Sequence, residues 1–172
     1  MAPSQGPTLH LLCGRIAAGK STLAARLAAR PATVLIAEDH WTSTLFPDEL
    51  RTIEDYGRLS ARLRAAMAPH VVAILRAGLS VVLDFPANTV RSRAWMRAII
   101  ADAGVAHELH LLDVPDETCR QRLRARNARG DHPFTVSEAE YDVFMRHFVP
   151  PAPDEGFEVI VHSCMSPQGD SV

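Results

Sequence analysis

Gly14, Arg15, Ile16, Ala17, Ala18, Gly19, Lys20 and Ser21 spell G-R-I-A-A-G-K-S, a match to the pattern G-x-x-x-x-G-K-[ST]. What flanks the stretch decides the fold. Residues 8–13 (T-L-H-L-L-C) are a short apolar run with the length of a buried strand. Residues 21–29 carry the Ala, Leu and Arg of a good helix, and Pro31 stands just past their end. A glycine turn between strand and helix aims consecutive backbone N–H groups inward, and the helix start adds its positive end, so the loop is suited to cradling phosphate. In this reading Lys20 reaches the β and γ phosphates of a nucleoside triphosphate, Ser21 holds Mg²⁺ through its hydroxyl, and Thr22 completes the binding loop. Lys20 is also the only lysine among eighteen Lys and Arg residues; the rest are arginine.

Outward from the loop, four further short apolar runs at 33–37, 80–83, 106–112 and 157–162 read as strands. Helical spacing recurs at 48–67, 69–77, 90–103, 115–128 and 137–148. Strands alternating with helices predict an α/β chain: a parallel sheet covered on both faces and joined by right-handed crossovers. With 172 residues the chain suits a single domain, with its core at about 8–162, a stiff loop at 150–156 and a polar, mobile tail from 163 to 172.

Composition narrows the function. Eighteen basic against twenty acidic residues give a net charge of −2, and no broad basic stripe is evident, which argues against a long nucleic-acid substrate. Three widely spaced cysteines, Cys13, Cys119 and Cys164, fit neither a disulfide framework nor a zinc knuckle and read as reduced thiols of a cytoplasmic protein. The best apolar stretch, 71–85, is broken by Arg76 and Asp84, so no membrane span is expected, and residues 1–7 lack the basic start of a secretory signal. A guanine-reading N-K-x-D needs a second lysine, which disfavours a GTPase. Large oligomeric ATPases carry an acidic pair after the third strand, whereas Asp84 is followed by Phe85. A small phosphotransferase remains.

In an open parallel sheet, ligands sit beyond the carboxyl ends of the strands. Asp39, just after the second strand, is the candidate base for a substrate hydroxyl, with a helix cap or turn as the plain alternative. Asp84, closing the third, is a candidate Mg²⁺ ligand, direct or through water. Arg120, Arg122, Arg124, Arg126 and Arg129 crowd one predicted helix that runs into Gly130. At helical spacing Arg122, Arg126 and Arg129 share a face and are the candidates to meet the transferred phosphate from a mobile lid. Arg120 and Arg124 lie on another face, and Arg120 is the candidate to stack on adenine or on an aromatic ring. The segment 41–64, with Tyr56, Arg58 and Arg62, is expected to line the acceptor side. His107 and His110, three apart on a strand, face opposite sides and cannot share a metal. Trp95 and Met96 read as packing residues.

Residues 8–162 resemble P-loop kinases of the branch that includes zeta toxins, chloramphenicol phosphotransferase and the kinase domain of polynucleotide kinases. The resemblance implies a P-loop NTPase fold with a five-stranded parallel sheet and a small arginine-rich lid. It matches Asp39 to the base, and Asp84 with Asn88, followed by Arg91 and Arg93, to a D-x-x-x-N turn after the third strand. The run R-N-A-R-G at 126–130 is similar to a polynucleotide kinase lid, and 134–151 looks like the helix and closing loop of kinase-like ATP-binding proteins. The chain lacks the second catalytic domain of bifunctional polynucleotide kinases and the long C-terminal extension of the toxins. The leading expectation is an ATP- and Mg²⁺-dependent kinase of a small hydroxylated molecule. The alternatives are a 5′-hydroxyl polynucleotide or nucleotide kinase, and a slow regulatory ATPase without an acceptor.

Overall fold

The computed structural model describes residues 6–130 and 135–163. The expected tail, Ser163 apart, and residues 131–134 after the arginine cluster lie outside the described residues. Five strands, β1 Thr8–Gly14, β2 Thr33–Ala37, β3 Ser80–Pro86, β4 Ala106–Asp113 and β5 Val159–Ser163, form one sheet in the order β2-β3-β1-β4-β5. All neighbours pair in parallel. β1 is therefore central, and its carboxyl end delivers the glycine loop to the middle of the sheet edge where ligands gather.

The period of two along β1 divides the core. Leu9, Leu11 and Cys13 face a layer made by α3 (Ile53–Arg76) and α4 (Val90–Ala103), with Met67, Val71, Leu75, Met96 and Ile99 packed against them. Leu12 faces the opposite layer, made by α1 (Lys20–Ala28) and α5 (Asp116–Arg129). There Leu23, Leu27, Cys119 and Leu123 pack with Tyr141 of α6 (Glu138–Arg146). Burial pushes the Cys13 thiol up to about 11 and raises that of Cys119 as well, so both are inert protonated core residues at neutral pH.

Two helices differ from the sequence reading. The segments expected at 48–67 and 69–77 are one 24-residue helix, α3, which runs through Pro69. An interior proline costs about 3 kcal/mol. Leu59, Leu63, Met67, Val71 and Leu75, spaced four apart, are all buried, and each such side chain returns about 1.5–3 kcal/mol. Pro69 is on the exposed side, where water can serve the carbonyl it leaves unpaired. The second difference is α2 (Glu38–Leu45), which starts directly off β2 with Glu38 and Thr42 buried one turn apart. Its run E-D-H-W-T-S-T-L has little intrinsic helix preference, so packing makes it helical.

The closing loop is held by a buried arginine. Arg93, fully buried in α4, donates to both carboxylate oxygens of Glu155 at 2.6 and 2.7 Å, and to the carbonyls of Ala87 at 2.9 Å and Val149 at 2.7 Å. It thereby joins the turn after β3 to the loop before β5. Arg93→Met strands these partners, and we expect a loss of about 3–5 kcal/mol in urea unfolding. Hydrogen bonds from Arg93 hold the Glu155 carboxyl below its ordinary value of 4.5. The stabilisation is thus present above that pH and is lost as pH falls through the folded-state value; this acid-limb slope should be shallower in Arg93→Met.

Candidate functional site

The glycine loop is shaped by two close constraints. A side chain at Gly14 would meet Leu112 Cβ and O at 3.1 Å, so anything beyond glycine there would have to push β4 aside. Gly19 takes φ 104, a left-handed value that turns the chain into α1. Asn88 then holds the first residue of the loop at both its N–H and its carbonyl. Its Oδ1 accepts from Gly14 N at 2.9 Å, and its Nδ2 donates to Gly14 O at 2.9 Å. The turn after β3, which the resemblance singled out, therefore clamps the loop directly.

Lys20 Nζ donates to Gly14 O and Arg15 O, each at 2.8 Å. Burial lowers its pKa, while the carboxylates of Asp84 first and then Asp39 act in the opposite direction. Asp84 is the converse case: burial raises its pKa, and a hydrogen bond from the Ser21 hydroxyl and the charge of Lys20 oppose the rise. Ser21 and Asp84 thus stand together as hard oxygen donors beside the ammonium, a set that fits Mg²⁺.

A cleft of about 1500 Å³ opens above these residues. That exceeds the roughly 300–1000 Å³ of an ordinary single-ligand pocket, enough for a nucleotide and an acceptor together. Lys20, Ser21, Thr22, Asp39 and Asp84 line it from the sheet side, and Arg122, Arg126 and Arg129 from α5. These arginines sit on a helix anchored by buried Cys119 and Leu123, and Arg122 Nη1 donates to Ala18 O at 3.3 Å. The helix ends on Gly130 at φ 66, so three of the five clustered arginines approach the cleft from the body of the fold.

Arg120 points elsewhere. Asp116, Glu138 and Asp142 take its guanidinium at 2.7, 2.9 and 2.7 Å, and it stacks over the Tyr141 ring at 4.5 Å. Of the two partners expected for it, adenine or an aromatic ring, the structure shows the ring of Tyr141, with three carboxylates on α5 and α6 around it. Arg124 pairs with Glu117 and Glu138. On the acceptor side, Tyr56 and Arg64 line the cleft. Arg58 instead pairs at the surface with Glu49 and Asp55, rotated off the lining face of α3.

Two residues, one behind the cleft wall and one in it, escaped the sequence reading. Glu38, adjacent to Asp39, is buried and accepts from Tyr56 Oη at 2.8 Å and from Ser60 Oγ, with Arg64 at 3.6 Å. Burial raises its pKa against the pull of Arg64. The start of α2 thus sends Glu38 inward to brace α3 and leaves Asp39 to the cleft. Trp95, read as packing, lines the cleft with Arg64 over its ring at 5.6 Å. Its Nε1 and Arg64 Nε are buried without hydrogen-bond partners among the described residues.

A family model described as an AAA domain matches residues 9–151. The chain belongs to that family. No curated protein matches it. Among solved structures, a candidate kinase from Chloroflexus aurantiacus J-10-fl superposes with TM-score 0.75 at 21% identity, over 97% of this chain and 91% of that one. Kti12 of Chaetomium thermophilum, in complex with ADP-AlF3, gives TM-score 0.68 at 15% identity, over 93% and 91%. A chain of the Pnkp1/Rnl/Hen1 RNA repair complex gives 0.61 at 19% identity, over 85% of this chain and 45% of that one. At such identities the likeness is one of fold: a P-loop, kinase-related α/β fold, with no single branch set apart. The third structure corrects the exclusion of nucleic acid, since the same fold occurs in an RNA repair complex and a net charge of −2 is no ground for ruling such a ligand out. No described helix is long and apolar enough to cross a membrane.

The clamp yields a direct test. Asn88→Ala removes both hydrogen bonds to Gly14, the loop's first residue, and we expect ATP affinity by calorimetry to fall about 10-fold, in line with ~1–1.5 kcal/mol for the pair, with a small change in unfolding midpoint. Unaltered affinity in the folded variant means the loop holds its shape without the clamp.

Proposed function

We propose that the chain is an ATP- and Mg²⁺-dependent phosphotransferase that moves the γ phosphate of ATP to an alcohol oxygen. One observation carries the reading: Lys20, Asp39, Asp84 and three arginines of α5 face one cleft large enough for two ligands. In this reading the Gly14–Thr22 loop binds the triphosphate, Lys20 turns from the loop carbonyls toward its oxygens, and Ser21 and Asp84 hold the metal. A metal held there would supply neutralisation of the phosphate charge. Asp39 takes the proton as the acceptor oxygen bonds to the γ phosphorus and the bond to the bridging oxygen of ADP breaks. Arg122, Arg126 and Arg129 stabilise the charge on the phosphoryl oxygens. The buried donors at Trp95 and Arg64 favour an oxygen-rich acceptor at the far end, and a small hydroxylated molecule is the leading class. A 5′-hydroxyl polynucleotide is the second reading, favoured by the fold shared with the RNA repair complex.

Acceptor-dependent ADP release, screened over hydroxylated metabolites and 5′-hydroxyl oligonucleotides, tests both classes in one assay. Lys20→Ala should abolish turnover in a folded protein. Asp39→Asn should lower kcat about 10²-fold or more with ATP affinity little changed. Acceptor-independent ADP release that survives Asp39→Asn would instead mark a regulatory ATPase. Alanine at each of the three arginines should lower the rate unequally, by up to ~10³-fold at the one meeting the transferred phosphate.

A further inference from the structure

Away from the phosphate loop, on the sheet face that also carries Leu12 and Leu112, three strands bring side chains together that sequence spacing does not reveal. The parallel register sets Leu12 beside His110, and His10 beside Glu108. His162 follows on β5, beside Leu112. His107 faces the other way, its ring against Phe157.

His10 Nδ1, His110 Nε2 and one oxygen of Glu108 form a small triangle. The two nitrogens are 3.3 Å apart, His10 Nδ1 lies 3.0 Å from Glu108 Oε2, and His110 Nε2 lies 3.4 Å from it. Ligand atoms about 2.0–2.1 Å from a tetrahedral Zn²⁺ are separated by about 3.3–3.4 Å, so the triangle has the size of one tetrahedral face. Two imidazoles and a carboxylate are a donor set suited to Zn²⁺ and its neighbours, unlike the all-oxygen pair Ser21 and Asp84. The other nitrogen of His110, Nδ1, is 3.0 Å from His162 Nε2, the kind of contact that fixes the ring and tautomer of a metal-bound histidine. His10 and His110 are both buried. Glu108 is partly exposed, and a cavity of about 380 Å³ bordered by Thr8, Ala106 and Glu158 opens beside it, a way in for an ion. Arg30 is the nearby positive charge that opposes a cation there, and the Glu108 carboxylate counters it.

We propose that His10, Glu108 and His110 bind one transition-metal ion of the Zn²⁺ class, with water in the fourth position and His162 orienting His110 from behind. The site is separate from the Mg²⁺ position and joins β1 to β4 below the loop. Because a proton shared within the triangle would give similar contacts, metal uptake decides the matter.

Full-length, metal-stripped protein is titrated with Zn²⁺ against a chromogenic chelator in excess Mg²⁺. One equivalent should be taken up, and Co²⁺ in its place should give the intense d–d absorption of a tetrahedral ion. Glu108→Gln, which keeps the shape of a partly exposed side chain, should weaken Zn²⁺ binding by well over 10-fold. His162→Ala should weaken it about 10–100-fold, as loss of a ring-orienting partner does. Unfolding midpoints confirm that each variant is folded. No stoichiometric uptake by the wild-type chain overturns the proposal, and so does full affinity retained in both variants, which would put the ion on surface histidines or on Cys164.

Discussion

The site depends on how closely β1 approaches its two neighbours at Gly14. The backbone there touches Leu112 of β4 on one side and is held by both ends of the Asn88 amide on the other. The ladder between β1 and β3 shifts register after Leu11, pairing Leu12 with Pro86, and Ala87 N donates to Leu12 O at 2.9 Å. That irregularity brings the turn after β3 beside the loop. Arg93, on α4 just beyond that turn, bonds the turn at Ala87 and the chain at Val149 and Glu155, so loop, turn and closing segment form one connected unit. A phosphate loop must present several N–H groups at fixed positions at once, and a backbone locked on both sides supplies that without reorganisation.

Electrostatics follow from this packing. Burying an ammonium and a carboxylate together moves their pKa values in opposite directions, Lys20 down and Asp84 up, and each opposes the other's shift. The Ser21 hydroxyl satisfies the carboxylate as well. Polar groups withdrawn from bulk solvent in this way act more strongly on a ligand than they would at the surface. Glu38 shows the other use of a buried carboxylate: the partners on Tyr56, Ser60 and Arg64 consume its hydrogen-bonding capacity, and it fixes the angle between α2 and α3.

The sheet was legible because most strands are short, largely apolar runs, and the loop because its motif stood between a strand and a helix. What escaped was set by tertiary contact. Pro69 reads as a break because local preference says so, but five buried side chains on its helix outweigh it. The helix at 38–45 has no local signal, only two buried anchors, Glu38 and Thr42. Asn88 was visible only as part of a resemblance, since nothing in one sequence says which peptide a turn residue will hold. The grouping of His10, Glu108 and His110 was out of reach for the same reason: it exists only once β1 and β4 are in register.

Charge offers the sharpest case. A net value of −2 describes the whole chain, but a ligand meets the local field. Along α5 the arginines divide by helical face. Arg120 and Arg124 are matched by Asp116, Glu117, Glu138 and Asp142. Arg122, Arg126 and Arg129 turn toward the cleft, beside Lys20. Lys20 and seven arginines line the cleft against Asp39, Asp84 and Glu140, so an excess of positive charge can line the cleft of an acidic protein. An anionic ligand, whether a nucleotide alone or a polynucleotide end beside it, responds to that lining and is nearly blind to the balance on the far side of the helix, because the screening length in salt is only about 8–10 Å.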